Sequence, residues 1–432
     1  MLVHGKNNKK SIIFLITDQQ RYDAVGYVNK AISTPNIDSL SEQSIICANS
    51  YAQSPQCQPS RASILTGRYP TAHKVWWNQT PLPKSEKTIA NYLKEAGYAT
   101  GYFGKIHLTD AENDGWDILL SHFGFQDHFI FWEWAENAKL TNEGQKALDE
   151  FHDIMNGPQW TGIFQNRQYH HEDVITKRAI DFIKNAKQPY FAMIGYYGPH
   201  PPYASPPPYN LMYSAADMTS PDKLLPILDD HNITADNWKK LKSQYYGSVS
   251  WIDDNIGKIL EAADDNTIIV FTADHGDVLG DHGLFSKGLY AYEGNTRVPL
   301  LFKIPNYEPY TYGHLTQSID IMPTLLGIAG TEYDFVQGSD LTKHFKNNTS
   351  ANDYIISMIG YGQDKLRMIR VGHWKYWIKG QEEFLYDLSK DPNENHNLFN
   401  SPAYSNVLSN IRHKMITALI DSEDPKPRPI QM

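Results

Sequence analysis

Cysteine is scarce in this chain, because only Cys47 and Cys57 occur among its 432 residues. Two cysteines cannot build a disulfide framework, so the fold must be held together by a hydrophobic core. Hydrophobic residues make up 41% of the chain and charged residues 20%, which is typical of a globular protein and excludes disordered or fibrous classes. The length fits one large α/β domain with a smaller annex as well as it fits two equal domains.

An excess of positive charge is also lacking. The chain has 39 Lys and Arg residues against 49 Asp and Glu residues, which gives a net charge of −10. This balance argues against a nucleic-acid binder and against a protein that binds anionic membranes. An anionic substrate remains compatible with it, because a local cluster of Lys, Arg and His can reverse the field inside a pocket.

Long hydrophobic runs are missing as well, since no stretch approaches the ~18–20 apolar residues of a membrane span. The apolar N-terminal segment, residues 11–17, is short, and no small-residue cleavage site follows it. We therefore expect a buried strand there and not a signal peptide. For the sequence as written we expect a cytoplasmic protein, or a periplasmic or secreted one if an export signal has been removed.

Buried strands and amphipathic helices alternate along most of the chain. The strongest patterns predict strands at residues 11–17, 98–103, 190–196, 267–272 and 298–302, and helices at 171–186 and 237–263. The first strand is apolar throughout, as expected for a parallel strand that is covered on both faces. The alternation therefore predicts an α/β fold with a mostly parallel central sheet and helices on both of its faces.

The pattern changes after about residue 345. Short β-rich runs follow at residues 354–359, 365–371, 375–379 and 384–388, and a helix is expected over 405–419. Consecutive short strands separated by glycines predict a small antiparallel sheet. We therefore expect a main domain over residues 1–345 and a small C-terminal α+β subdomain over residues 346–432.

The most informative segment is residues 57–68, which read C-Q-P-S-R-A-S-I-L-T-G-R. It resembles the signature of type I sulfatases, C-x-P-S-R followed by L-T-G-R, and so many fixed positions at fixed spacing rarely coincide by chance. Further segments, such as Y-E-G-N-T-R-V-P at 292–299, extend the resemblance from about residue 11 to about residue 398. The resemblance implies an alkaline phosphatase-like catalytic domain over residues 1–345 and a sulfuric ester hydrolase.

In that family a formylglycine-generating enzyme oxidises the signature cysteine, so the resemblance implies formylglycine at Cys57 and that enzyme as a maturation partner. The residues after Pro59 form a helical turn, which puts position 57 near a helix N-terminus, where free N–H groups and the dipole stabilise an anion. A hydrated aldehyde there offers two hydroxyl groups: one attacks, and the other later expels the product. The resemblance gives Arg61 the task of holding this hydrated aldehyde.

Two pairs of residues predict a metal site. Asp18 and Gln19 end the first predicted strand, and Asp274 and His275 follow a later one. The carboxyl ends of parallel strands converge on one rim of a sheet. Together with Cys57, these two pairs match the metal ligands of the family position by position. Many sulfatases have Asp-Asp at the first pair and Asp-Asn at the second. Gln19 and His275 depart from that pattern and are similar to the phosphonate monoester hydrolase branch and several glycan sulfatases. The family implies one calcium ion. Because the imidazole of His275 also suits manganese, manganese stays a second candidate for the bound metal.

Cationic side chains complete the implied site. The segment G-K-I-H-L resembles the family's G-K-W-H-L, in which the lysine binds sulfate and the histidine positions the formylglycine, here Lys105 and His107. His200 lies in a segment that resembles P-H-x-P, whose histidine faces the leaving group. Lys287 matches the second sulfate-binding lysine, and His282 is a further candidate substrate contact. Sulfuryl transfer needs cations around three non-bridging oxygens and an acid at the leaving oxygen.

We therefore expect a sulfatase that cleaves a sulfate ester, with sulfated carbohydrates as the favoured substrates. That preference rests on the substrates common in the family and on the tryptophans at positions 76, 77, 132, 134 and 160. These rings can stack on sugar rings or pack within loops. Gln19 and His275 leave a phosphonate monoester or phosphodiester hydrolase open as the alternative. A non-catalytic glycan-binding relative is the alternative from another class, and the intact Cys57 argues against it. The oligomeric state stays open.

Overall fold

A nine-stranded sheet forms the centre of the fold in a computed structural model that describes residues 9–108, 120–130, 142–156, 161–165, 167–221 and 234–425. The first eleven strands are β1 (Ile12–Asp18), β2 (Ile45–Tyr51), β3 (Ala99–Gly104), β4 (Asp127–Phe129), β5 (Thr161–Ile163), β6 (Tyr190–Pro199), β7 (Tyr203–Ser205), β8 (Ile268–Ala273), β9 (Arg297–Val298), β10 (Leu300–Lys303) and β11 (Tyr310–Gln317). The central order is β11-β2-β10-β8-β1-β6-β3-β4, with β9 beside β2, whereas β5 pairs with β7.

Most neighbours in the central sheet are parallel. β8, β1, β6, β3 and β4 run in one direction, and β10 is antiparallel to both β8 and β2. The predicted mostly parallel sheet is therefore confirmed. The strands β2 and β11 were not predicted, because polar residues such as Asn49 and His314 interrupt the apolar runs that indicate a buried strand.

Helices cover both faces of this sheet. The α-helices of the described residues are α1 (Pro35–Ser41), α2 (Cys57–Thr66), α3 (Pro70–His73), α4 (Ile89–Glu95), α5 (Asn142–Asn156), α6 (His171–Asn185), α7 (Ala235–Ala262), α8 (Glu293–Thr296), α9 (Ile321–Ile328), α10 (Thr342–Asn347) and α11 (Ser405–Asp421). Successive residues of a strand point to opposite faces. Phe14 and Ile16 pack in a cluster with α2, α4 and α9, whereas Ile13 and Leu15 pack in a cluster with α1, α6 and α7. This arrangement confirms the predicted helices on both faces.

A separate four-stranded antiparallel sheet lies near the C-terminus, as predicted. Its strands are β12 (Ile355–Tyr361), β13 (Asp364–Val371), β14 (Trp374–Lys379) and β15 (Glu382–Asp387), and each pairs with the next. α11 packs on this sheet through Leu408, Ile411 and Met415, in a cluster that also contains Tyr69 and Ile319. In another cluster Tyr51 of β2 and Leu315 of β11 pack with Ile355 and Trp377, so the two sheets have a common hydrophobic contact. The division of the chain after residue 345 stays a prediction. None of the described helices is long and apolar enough to cross a lipid bilayer.

Candidate active site

The candidate site lies where β1 and β8 end. The two strands pair in register from Ile12 and Ile268 to Thr17 and Ala273. The backbone N–H of Asp274 then donates to the carbonyl oxygen of Thr17 at 3.1 Å. Because the strands are parallel, Asp18 and Asp274 reach the same rim of the sheet side by side.

The thiol of Cys57, the first residue of α2, lies among charged groups at this rim. Its Sγ is 2.8 Å from Nζ of Lys287, 3.2 Å from Nε2 of His275 and 4.0 Å from Nζ of Lys105. Burial and the nearby Asp18 raise the pKa of this thiol. The charges of Lys105, Lys287 and His275 outweigh both effects and hold the pKa of Cys57 well below its usual value. The site therefore stabilises a negative charge at position 57.

Arg61 lies one turn along α2 from Cys57 and connects the two carboxylates. Its Nε donates to Oδ2 of Asp274 at 2.8 Å, and its Nη2 donates to Oδ2 of Asp18 at 3.0 Å. Its Nη1 donates to the backbone carbonyl of Lys105 at 2.6 Å. Burial disfavours the charged guanidinium, but the two carboxylates outweigh burial and raise the pKa of Arg61. Arg61 is therefore a permanently charged bridge between α2, β1 and the residues after β8.

One divalent cation could be held by four residues at this rim: Asp18, Cys57, Asp274 and His275. One ligand atom from each lies within 4.8 Å of the others, and all four residues are buried. Burial and the charge of Asp18 raise the pKa of Asp274, so a cation between the carboxylates would relieve their repulsion. Nδ1 of His275 lies 2.8 Å from the carbonyl oxygen of Gly276, to which it donates, and Nε2 is left for a ligand bond.

Gln19 follows Asp18 directly and has a buried amide side chain. Its Nε2 donates to Oδ2 of Asp277 at 2.7 Å and to Oγ of Ser286 at 3.0 Å, and it lies 3.3 Å from the hydroxyl of Tyr203. Its buried Oε1 has no hydrogen-bond partner within the described part of the chain. A buried oxygen without a partner is costly, and a bound cation would supply one. The residues present therefore fit a divalent metal.

His200 lies just after β6, in the field of two lysines. Its Nδ1 is 2.7 Å from the carbonyl oxygen of Pro201, so this nitrogen carries the proton and Nε2 is left for another partner. Burial, together with the charges of Lys287 and Lys105, lowers the pKa of His200 to about 3. The imidazole is therefore neutral near pH ~7 as long as no anion is bound nearby.

The two other predicted histidines have different surroundings. The buried Nδ1 of His107 has no hydrogen-bond partner among the residues that the structure describes. His282 stacks on Tyr292, with ring centroids 3.7 Å apart, and lines a pocket of about 300 Å³ together with Arg21 and Glu293. The roles of His107 and His282 stay predictions.

The tryptophans that suggested a sugar site are only partly described. Trp76 and Trp77 are half-buried and pack against the hydrophobic clusters of the C-terminal sheet. The guanidinium of Arg367 lies 5.0 Å from the ring of Trp76. The tryptophans at positions 132, 134 and 160 lie outside the described residues. Stacking of these rings on a sugar stays a prediction.

Sequence analysis missed two buried carboxylates beside the site. Glu172, near the start of α6, accepts from the backbone N–H of Gly198 at 2.6 Å and of Tyr197 at 3.3 Å, just before His200. Asp277 accepts from the amide of Gln19, which is 258 residues away along the chain. Asp277 follows the metal-ligand pair by two positions, and this closeness is a signal that could have drawn attention to it.

The fold is of the alkaline phosphatase-like class, as predicted. The solved structure of phosphonate monoester hydrolase from Agrobacterium radiobacter superposes with a TM-score of 0.82 over 96% of each chain, at 22% sequence identity. At that identity the similarity concerns the fold alone.

The family follows from sequence comparison. A family model described as Sulfatase matches residues 10–331, and one described as N-sulphoglucosamine sulphohydrolase, C-terminal, matches residues 280–421. An arylsulfatase of Clostridium perfringens is 30% identical, over 96% of this chain and 95% of the relative. An ulvan-active sulfatase of Formosa agariphila is 28% identical, over 96% and 82% of the two chains. The chain belongs to the sulfatase family and is a sulfuric ester hydrolase.

The charges around Cys57 predict how its thiol reacts. Because its pKa is lowered, we expect iodoacetate to label Cys57 at nearly the same rate from about pH 6 to about pH 8, whereas an ordinary thiol gains roughly two orders of magnitude. Burial raises the pKa of Cys47, so Cys47 should stay unlabelled and serves as the internal control. Peptide mass spectrometry in the presence of a chelator measures both. Labelling of Cys57 that rises steeply with pH would contradict the electrostatics described above.

Proposed function

We propose that this sulfatase hydrolyses sulfate esters of carbohydrates, with formylglycine formed from Cys57 as the nucleophile and one divalent cation at the rim. The observation that carries the proposal is the position of residue 57: it starts α2, and its Sγ lies 2.8 Å from Nζ of Lys287. A nucleophile that approaches an anionic ester needs such cations to offset the repulsion. The carbohydrate part is supported by relatives named ulvan-active sulfatase and iduronate 2-sulfatase.

Two lysines are proposed to bind the sulfate group. Nζ of Lys287 and Nζ of Lys105 both lie within 4.0 Å of Sγ of Cys57, and Lys105 also pairs with Oδ2 of Asp18 at 2.7 Å. Their charges attract the non-bridging oxygens, and this attraction grows as negative charge develops in the transition state. Arg61 keeps α2 in place through Asp18 and Asp274, so that residue 57 meets the bound group in a fixed position.

His200 is proposed as the acid that protonates the leaving oxygen. Its Nδ1 donates to Pro201, so Nε2 is the atom that faces a substrate. Its pKa of about 3 applies to the site without a bound ester, and the negative charge of an incoming sulfate ester would favour the imidazolium. We assign product release to His107, whose buried Nδ1 has no hydrogen-bond partner among the described residues.

Asp18, Gln19, Asp274 and His275 are proposed to hold the cation, together with residue 57. Calcium is proposed from the family, and the imidazole and amide ligands are compatible with manganese. When bound, the cation would lower the pKa of a hydroxyl group at position 57. A hydrated aldehyde at that position has two hydroxyl groups, one for attack and one for expulsion of the product.

The proposal predicts that encoded cysteine at position 57 is not the working nucleophile. Protein from a host that contains the converting enzyme should yield a residue-57 peptide lighter than its encoded mass. Activity on an aryl sulfate should rise in proportion to that fraction across preparations, because a thiol would form an adduct without an easy exit. Cys57→Ser should be nearly inactive in a host that converts only cysteine, with the unrelated Cys47→Ser as the control. Full activity of thiol-bearing protein would refute the proposed nucleophile.

The acid role of His200 predicts a dependence on the leaving group. His200→Ala should slow hydrolysis of a sugar sulfate by about 10²–10⁴-fold and affect an activated nitrophenyl sulfate much less, because a poor leaving group needs the proton most. The measurement is kcat/KM for both esters with the wild type and the variant. Equal losses on both substrates would make His200 a positioning group.

A phosphonate monoester hydrolase is the second candidate, since Gln19 and His275 take the places of carboxylate and amide ligands that many sulfatases have. We expect kcat/KM for an aryl sulfate to exceed that for a phenyl phosphonate monoester by at least about tenfold. Parallel assays on one preparation, normalised to the converted fraction of residue 57, give the ratio. A reversed ratio would favour the second candidate.

A further inference from the structure

We propose that Asp277 is a positioning residue: it fixes the amide of Gln19 so that Oε1, and not Nε2, is presented to the divalent cation. The inference rests on the metal site of the proposed function and explains how an amide can serve there. It concerns the orientation of a ligand, which no local sequence pattern specifies.

The carboxylate of Asp277 is held by three donors. Its Oδ2 accepts from Nε2 of Gln19 at 2.7 Å and from the hydroxyl of Tyr203 at 2.6 Å, and its Oδ1 accepts from the backbone N–H of Leu279 at 2.8 Å. Asp277 and Gln19 are both fully buried. Both oxygens of this carboxylate accept hydrogen bonds from these donors, so the end of the amide that faces it must be the NH₂ group. The oxygen of the amide therefore has to point away from Asp277.

The backbone of Gln19 leaves its side chain little freedom to adopt another position. Its φ is +66°, in the left-handed region that non-glycine residues rarely adopt. Its N–H donates to Oδ1 of Asp274 at 3.0 Å, and its carbonyl accepts from the hydroxyl of Tyr245 at 2.8 Å. With the main chain held on both sides, a flip of the amide is the simplest rearrangement left, and Asp277 opposes that flip.

The same contact accounts for an amide at position 19. A carboxylate there would lie against Asp277 at hydrogen-bond distance, and two buried like charges repel strongly. An amide avoids the repulsion because one end donates to Asp277 while the other offers an oxygen to the cation. Gln19 and Asp277 therefore form a matched pair, although they are 258 positions apart.

The test exchanges the partner of the amide. Asp277→Asn offers an NH₂ group to Oε1 of Gln19, which permits the flipped amide and turns its NH₂ group toward the cation. We expect metal affinity to fall by at least about tenfold, as is typical when an outer partner of a ligand is lost. The readout is the metal that purified enzyme retains after dialysis against graded chelator, measured by elemental analysis. Tyr203→Phe is the matched control: it removes a hydroxyl that contacts both the same carboxylate and Nε2 of Gln19, but it keeps the hydrogen bond between Asp277 and the amide. Affinity should therefore change by less than about threefold.

A double variant separates positioning from a merely structural role. In Gln19→Glu with Asp277→Asn, the new amide donates to the new carboxylate, so metal retention should return to within about threefold of the wild type. If Asp277→Asn alone does not fold, restored folding and metal retention in the double variant support the proposal, and failure of both overturns it. A folded Asp277→Asn with wild-type retention overturns the positioning role while leaving the metal site intact. A wild type that retains no metal overturns the metal site itself, and this inference with it.

Discussion

The bridge that Arg61 forms between Asp18 and Asp274 is the interaction on which the rest of the site depends. All three side chains are at most 1% exposed, and the guanidinium lies 3.0 Å and 2.8 Å from the two carboxylates. Two buried carboxylates this close would repel each other strongly without a permanent cation between them. A planar guanidinium can donate to both at once, which the single ammonium of a lysine does less well. The ends of β1 and β8 therefore stay together through this residue.

The same bridge ties residue 57 to the sheet. Arg61 and Cys57 lie on consecutive turns of α2, and Oγ of Ser60 donates to the carbonyl oxygen of Asp274 at 2.5 Å. Two adjacent side chains of α2 thus bind the residue that follows β8. The position of residue 57 relative to the carboxylates is consequently a property of these contacts, and a rigid spacing within residues 57–61 is what they require.

Cationic side chains gather around residue 57 although the chain as a whole is acidic. The whole chain carries a net charge of −10, yet Lys105 and Lys287 both lie within 4.0 Å of Sγ of Cys57. Lys105 reaches this place because Gly104, with a φ of +105°, lets the chain pass Gly195, whose carbonyl oxygen would lie 2.0 Å from any Cβ at position 104. Local cations of this kind attract an anionic ester even to an acidic protein.

The sequence by itself determined those features that depend on neighbouring residues. Apolar runs predicted β1, β6 and β8, short β-rich runs predicted the C-terminal sheet, and the segment from Cys57 to Arg68 indicated the family. Strands with mixed polarity, β2 and β11, were missed, because their partners and not their own residues make them strands. The contacts of Gln19 with Asp277 and of Glu172 with Gly198 were also beyond the sequence. Only the tertiary structure decided them, because hydrogen bonds and charges act over a few ångströms in space, and folding alone brings such distant residues that close.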